Sequence, residues 1–165
     1  MPHRPLSVAF EIRQSKPFRS VGQEAVLTLL RTAAVVQARG NTLLTDSGIS
    51  VSQYNVLRIL RGAGSEGLGT SAIRDRMLDL NPGVTRLIDR LAAAGLVTRE
   101  RHPGDRRAVR CRITKAGLAL LEELDPIVDG ADRDLMTQLS PAEQRTLIRL
   151  LDLVRASAAG PAAHP

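Results

Sequence analysis

Cysteine and aromatic side chains are scarce in this chain of 165 residues. Cys111 is the only cysteine, which excludes an internal disulfide framework. The histidines stand apart at positions 3, 102 and 164, so no cluster has metal-ligand spacing, and we expect no metal and no cofactor. Tryptophan is absent and aromatic residues make up 2% of the chain. The core must therefore consist of leucine, valine, isoleucine and alanine, which favours packed helices.

Long apolar runs are missing as well. None approaches the roughly 18 residues of a membrane-spanning helix, and the N-terminal segment lacks the apolar stretch of a secretory signal. Hydrophobic residues nevertheless make up 43% of the chain, which is enough for a core and excludes wholesale disorder. We expect a cytoplasmic protein without a membrane partner.

Lysine occurs only at positions 16 and 115, so almost all of the 23 basic residues are arginine. The net charge is +6, and the segment from Arg74 to Lys115 holds the whole excess, with eleven basic and five acidic residues. Arginine offers a planar fork of donors that fits phosphate groups and guanine edges. The segment therefore indicates nucleic acid as a partner, and a solvated basic face is the alternative.

Helical periodicity and capping residues predict six helices, which follow an extended arm over residues 1–18. The first helix covers about residues 20–44. Ser50 and Gln53 have the form of a capping box at the start of the second. Thr70 is the expected N-cap of a short third helix that ends near residue 78.

Three further helices are predicted in the second half of the chain. Asn81 is expected to cap the fourth helix, with Pro82 at its first position and Gly95 at its end. Thr114 is expected to cap the fifth helix, which Pro126 should kink or break. The sixth helix follows a capping box at Ser140–Glu143, with buried positions expected at Leu147, Leu150, Leu151 and Val154.

Between the fourth and fifth helices the apolar period changes from 3.6 to 2. Leu96–Arg101 and Val109–Ile113 are predicted strands, joined by a turn at Pro103–Asp105. Cys111 shares the strand face of Val109 and Ile113, so its thiol is expected in the core, where a free thiol is inert. The order of the elements predicts a mainly α protein with a small β-hairpin, a winged helix-turn-helix flanked by long helices.

The fourth helix places four apolar residues on one face: Val84, Leu87, Ile88 and Leu91. Its outward side carries Gly83, Arg86 and Arg90, with Thr85 on the flank. Such a face suits a major groove, because Gly83 allows close approach and Arg86 can donate two hydrogen bonds to guanine. An ordinary amphipathic helix with a solvated charged face is the alternative.

Arg106 and Arg107 lie at the tip of the predicted hairpin, where a basic tip can reach a minor groove. Asp105 is expected to pair with Arg107 or a nearby arginine and to orient its guanidinium. Arg110 and Arg112 extend the basic surface along the second strand towards phosphate. A charged tip that only maintains solubility is the alternative.

The same region resembles the MarR family (multiple antibiotic resistance regulator) of transcription regulators. The family pattern Asp-x-Arg, then after five residues Leu or Ile and Thr-x-x-Gly, is similar to Asp105, Arg107, Ile113, Thr114 and Gly117. Further similar segments are Val84–Leu91, Gly95–Val97 with Arg99, Ser52–Leu60 and Ser140–Glu143. The resemblance covers about residues 20–156, most of the chain.

The resemblance implies a sequence-specific regulator, by expectation a repressor, that binds double-stranded DNA at a pseudo-palindromic operator as a homodimer. The first and last helices would form the dimer, and a small-molecule effector would release the DNA. By position, Thr70 and Ser71 would contact phosphate, and Arg107 would be the wing-tip arginine. The expected DNA-binding residues are Thr70, Ser71, Asn81, Gly83, Thr85, Arg86, Arg90, Arg106, Arg107 and Arg110. Gly83 departs from the polar or charged residue more often found there, so direct readout would rest on fewer side chains.

The expected domains follow from these elements. They are an N-terminal arm over 1–19, a first dimerisation helix over 20–48, the winged helix-turn-helix over 49–116, C-terminal dimerisation helices over 117–158 and a tail over 159–165. The sequence shows no nucleophile beside a base, no phosphate-cradling glycine loop and no purposeful carboxylate pair, so we expect no enzyme. The alternative function is a winged-helix module that binds an acidic protein surface without operator specificity.

Overall fold

A computed structural model of the chain describes residues 7–79, 83–102 and 105–158, with the side chains of 101, 102 and 105–108 outside that description. Seven α-helices and three strands lie within these residues. The helices are α1 (Val8–Glu11), α2 (Val21–Leu43), α3 (Val51–Gly62), α4 (Thr70–Arg74), α5 (Val84–Ala93), α6 (Lys115–Met136) and α7 (Pro141–Ala158). The strands are β1 (Leu68–Gly69), β2 (Val97–His102) and β3 (Asp105–Ile113), and short 3-10 turns cover Thr45–Ser47 and Gly64–Glu66. The predicted fold class, mainly α with a small β element, is confirmed.

The sheet has three antiparallel strands in the order β1-β3-β2, where the sequence predicted a hairpin of two. Val97 pairs with Ile113 at the base of the wing, and Leu68 of the added strand pairs with Cys111. Gly67 makes this pairing possible, since its φ is 62° and a Cβ there would lie 2.3 Å from the Cys111 carbonyl oxygen. The sequence missed β1 because two residues carry no periodic pattern.

The chain divides into two compact units, Met1–Leu121 and Glu122–Pro165. The first unit contains the winged helix-turn-helix, and aliphatic side chains from its helices and sheet fill the core, as the scarcity of aromatics required. Its fully buried side chains are Leu44, Val56, Leu57, Leu60, Ile73, Ile88, Leu91, Cys111 and Leu121. The predicted domain boundaries remain a prediction.

Both predicted capping boxes are confirmed. Ser50 accepts a hydrogen bond from the Gln53 amide at 3.3 Å, and the Gln53 side chain accepts one from the Ser50 amide at 2.9 Å. In the second unit Glu143 accepts hydrogen bonds from the Ser140 amide and hydroxyl, at 2.8 and 2.7 Å. These hydrogen bonds, the hydroxyl's first, hold the pKa of the Glu143 carboxyl below its usual value.

Two predicted helix starts are wrong by one or two residues. Gly69, extended and paired in the sheet, is the N-cap of α4, so Thr70 is the first helical residue, and the helix ends at Arg74. Gly83 is the N-cap of α5, because its ψ of 63° is not helical while its carbonyl accepts the first helical hydrogen bond, from Leu87. Asn81 and Pro82 lie outside the described residues.

Three other expectations require correction. Residues 8–11 form α1, capped by Ser7, within the predicted extended arm. α6 continues through Pro126, so the helix does not break there, and the kink that a proline causes by clashing with the carbonyl four residues before it stays a prediction. Leu150 and Val154 of α7 are each 47% exposed, and none of its residues is buried. The helical period predicted an apolar face on α7. The period alone does not show whether other residues bury that face, and its side chains are not buried in this structure.

Gly117→Ala is expected to lower the free energy of unfolding by about 1–3 kcal/mol, through overpacking of a closed site. A Cβ at position 117 would lie 2.4 Å from the Leu96 carbonyl oxygen and 2.7 Å from Cγ1 of Ile113. Urea denaturation followed by circular dichroism measures the change. Gly62→Ala is the control, because no atom lies within 4 Å of its added Cβ. Equal loss of stability in both variants would contradict this account of Gly117.

Candidate nucleic-acid interface

The predicted reading helix, α5, has its apolar residues inside and its charged residues outside. Ile88 and Leu91 are fully buried and Val84 is 4% exposed. Thr85, Arg86, Asp89 and Arg90 are all exposed. The predicted helical phase is therefore confirmed for Val84, Ile88 and Leu91, whereas Leu87 is only half-buried.

Helix α3 binds Leu78 and Asp79, which follow α4. The Ser52 hydroxyl donates to Oδ2 of Asp79 at 2.7 Å, and the Leu78 amide donates to Oδ1 of Asn55 at 3.2 Å. These bonds join residues 23 and 27 positions apart, so no local pattern in the sequence could reveal them. They tie the segment after α4, as far as Asp79, to α3.

The start of α4 and the start of α5 border one surface groove of about 310 Å³. Its lining residues are Thr70, Arg74, Gly83, Val84, Thr85 and Arg86. The structure thus brings together four residues that the sequence placed in one function, namely Thr70, Gly83, Thr85 and Arg86. Ser71 is exposed on α4 but does not line the groove. Arg74 is a lining residue that sequence reasoning left out of the set.

Arg86 and Arg90 are the uncompensated cations of α5. Within the described part of the chain, neither has a carboxylate within salt-bridge distance, whereas several other exposed arginines do. Arg86 lines the groove and Arg90 follows it by about one turn of the exposed face, so two unpaired cations favour an anionic ligand there.

Arginines of the sheet behave differently, and we call Arg99, Arg110 and Arg112 the strand arginines. Arg99 pairs with Asp89 of α5. Arg112 pairs with Glu100 and donates its Nε–H to the Ser65 carbonyl at 2.7 Å. Arg110 donates to the Glu66 carbonyl at 2.8 Å, with the Glu66 carboxylate 3.8 Å away. Each side chain is about one third exposed, so these arginines brace the wing as well as carrying charge.

The wing joins the reading helix at a compact set of polar contacts, the wing junction, formed by Gly95, Leu96, Thr114 and Gly117. Gly95 ends α5 with a φ of 73°, as predicted. Thr114 donates its amide to the Leu96 carbonyl at 3.0 Å and its hydroxyl to the Gly95 carbonyl at 2.8 Å. The same hydroxyl accepts the Gly117 amide at 3.0 Å, which confirms the predicted cap of α6.

Several predicted site residues cannot be placed by their side chains. Asn81 lies outside the described residues, and so do the side chains of Asp105, Arg106 and Arg107. The backbone of the hairpin is described up to the pair His102 and Asp105. The ion pair between Asp105 and Arg107 therefore stays a prediction.

Cys111 is fully buried, as strand parity predicted. Burial raises the pKa of its thiol, an effect that the Arg99 guanidinium opposes and the Asp89 carboxylate reinforces. In the described ranges no group of three or more Cys, His, Asp or Glu side chains could hold a metal ion. The described helices include none long and apolar enough to cross a membrane.

Comparison with known proteins decides the family. The MarR family model matches residues 49–109, the segment from α3 to the wing. YkoM of Bacillus subtilis, an HTH-type transcriptional regulator, is 33% identical over 106 residues, which cover 64% of this chain and 68% of YkoM. A MarR transcription factor of Planctomyces limnophilus is 42% identical, with a TM-score of 0.65 over 83% of this chain and 99% of that one.

This chain belongs to the MarR family. As such it is a DNA-binding transcriptional regulator and not an enzyme. BpsR of Bordetella bronchiseptica, whose DNA binding is regulated by 6-hydroxynicotinic acid, is 28% identical, with a TM-score of 0.67 over 79% of this chain and 98% of BpsR. The exposed face of α5 and the groove beside it therefore lie in the part of this MarR-family regulator that the family model covers.

The Cys111 thiol of the folded protein is expected to react with Ellman's reagent slower than that of the urea-unfolded chain, by a factor at least on the order of 10³. Because burial raises the pKa of the Cys111 thiol, its contribution to the free energy of unfolding is fully present at low pH and is lost as pH rises through the pKa of the folded thiol. Absorbance at fixed reagent concentration measures the rate, and one thiol per chain sets the end point. Equal rates in the two states would contradict the burial of Cys111.

Proposed function

We propose that this regulator binds a pseudo-palindromic operator as a homodimer and represses transcription. The observation that carries the proposal is the exposed face of α5 beside the groove lined by Thr70, Gly83 and Thr85, on which Arg86 and Arg90 have no carboxylate within salt-bridge distance among the described residues. A helix of this kind enters a major groove with its N-terminal residues towards the base edges.

Roles on this surface follow from position and chemistry. Arg86 reads a guanine through two hydrogen bonds, and Arg90 contacts the phosphate backbone. Thr70 and Ser71 donate to phosphate from the start of α4, and Thr85 lies beside the bases. Gly83 allows close approach of the backbone. Asn81 completes the expected contact set.

The wing supplies the remaining DNA contacts in this proposal. Arg107 enters a flanking minor groove, oriented by Asp105, and Arg106 contacts phosphate. Arg110 adds its charge from the strand while its guanidinium also braces the Glu66 carbonyl. The fixed geometry of the wing junction supports this division, because the hairpin is tied directly to the end of the reading helix.

Exposed apolar side chains support the homodimer. Five lie on α2: Val21, Val26, Leu30, Val35 and Val36. Four lie on α7: Ile148, Leu150, Leu153 and Val154. A monomer would leave the apolar side chains of each helix in water, whereas a second copy would bury them.

The proposed regulator also responds to a small-molecule effector. BpsR, similar to this chain over most of its length, is regulated by 6-hydroxynicotinic acid. We propose a small organic effector that lowers operator affinity. Loss of operator binding on titration of aromatic carboxylic acids would support this class of ligand, and unchanged binding with all of them would count against it.

Selection from a pool of random-sequence duplexes tests operator recognition. We expect enrichment of one pseudo-palindromic site, and we expect a reporter promoter that carries this site to lose transcription when the protein is present. Failure to enrich any sequence, together with salt-sensitive capture of an acidic protein, would favour the alternative of a protein-interaction module.

Arg86→Ala is expected to cost about 1–3 kcal/mol of binding free energy on the selected duplex and to relax the preference at one base pair. Arg107→Ala is expected to weaken binding to all duplexes with little change in base preference, because a minor-groove arginine reads width and charge. Fluorescence anisotropy on the selected site and on single-base variants measures both effects. Unchanged affinity in both variants would remove the assigned roles.

Leu30→Asp is expected to shift the protein from dimer to monomer and to lower operator affinity by more than tenfold, because both half-sites no longer bind together. Gly62→Asp is the matched control, since it adds the same charge at an exposed position of α3, where an added Cβ lies in open space. Analytical ultracentrifugation measures the mass. A dimeric Leu30→Asp protein would place the dimer interface elsewhere.

A further inference from the structure

One acid lies among the basic residues of the reading helix. Asp89 follows Arg86 by one helical turn and directly precedes Arg90, and its side chain is 50% exposed. A carboxylate at this place repels the phosphates that the same face is proposed to approach. Its presence therefore needs a physical reason besides solubility.

Asp89 pairs with Arg99 of β2. Arg99 is paired directly opposite Cys111, and residues opposite each other in antiparallel strands share one face of the sheet. Cys111 is fully buried on that face, so the Arg99 stem starts beside the core and the guanidinium reaches outward. It meets Asp89, and 36% of the Arg99 side chain stays exposed. The pair thus links the reading helix to the wing.

We propose that Asp89 is a specificity-determining residue. By pairing with Arg99 it withholds one guanidinium from the DNA backbone, and so limits the part of the affinity that does not depend on sequence. The inference rests on the proposed function, since it takes the α5 face as the DNA-facing surface.

The release of counterions from DNA explains how this pairing would limit binding to unrelated sequences. Each phosphate that a protein neutralises releases condensed counterions and changes the slope of log K against log salt by about 0.9. Such contacts strengthen binding to every duplex, and specificity depends on the excess of operator affinity over this background. A guanidinium held by a carboxylate of the protein releases no counterion from DNA.

Asp89→Asn tests the proposal on the full-length protein, with the selected duplex and a random-sequence duplex of equal length as probes. We expect the random duplex to bind several-fold more tightly and the salt slope to steepen by about 0.9 per protomer. The ratio of the two affinities should fall. Because the pair is exposed, the melting temperature should move by no more than about 3 °C.

Two further variants separate this role from a structural one. Arg99→Gln alone should leave the salt slope unchanged, because the paired guanidinium contacts no phosphate. The double variant Asp89→Asn with Arg99→Gln should return the slope to the wild-type value. Asp152→Asn is the matched control, since it breaks the exposed pair with Arg155 on α7 and changes the net charge equally.

The outcomes are distinct. An unchanged slope or weaker random-duplex binding in Asp89→Asn would overturn the proposal, and so would a slope that falls by about 0.9 per protomer in Arg99→Gln. A steeper slope in Asp152→Asn would reduce the effect to net charge and would also overturn it. Wild-type protein without preference for any duplex would instead overturn the proposed function.

Discussion

The reading helix and the wing both depend on the wing junction. Thr114 binds the Gly95 and Leu96 carbonyls and accepts the Gly117 amide, so the end of α5, both strands of the hairpin and the start of α6 meet at one place. The close approach of the chain to Gly117 leaves no room for a side chain at that position. The orientation of the hairpin relative to α5 follows from these contacts, and with it the distance between the two regions that we propose contact DNA.

The arginines between Arg74 and Lys115 have two different surroundings. Counting residues assigned the whole excess to a nucleic-acid partner. The structure shows that the strand arginines bind carboxylates or backbone carbonyls of the same chain, while Arg86 and Arg90 have no such carboxylate among the described residues. Among the described residues of this segment, Arg86 and Arg90 therefore carry charge that no carboxylate pairs, whereas Arg99 and Arg112 are paired within the protein.

The sequence was sufficient where a feature depends on neighbouring residues. The capping box at Ser50, the end of α5 at Gly95 and the burial of Cys111 all follow from local spacing, and all are confirmed. It was insufficient where a contact joins distant residues, as for Arg112 and Ser65, 47 positions apart. The exposed apolar face of α7 shows a third limit, because periodicity identifies such a face without identifying what covers it. The roles at the wing tip rest on the family pattern.

The central claim is that two copies of α5 read successive major grooves of one operator. Interference by guanine N7 methylation tests it most directly, because that atom lies in the major groove and methylation leaves the minor groove unchanged. On the selected duplex the account predicts two clusters of interfering guanines, centred about 10–10.5 base pairs apart or at a multiple of that distance. A single cluster, or full binding to methylated DNA, would contradict it.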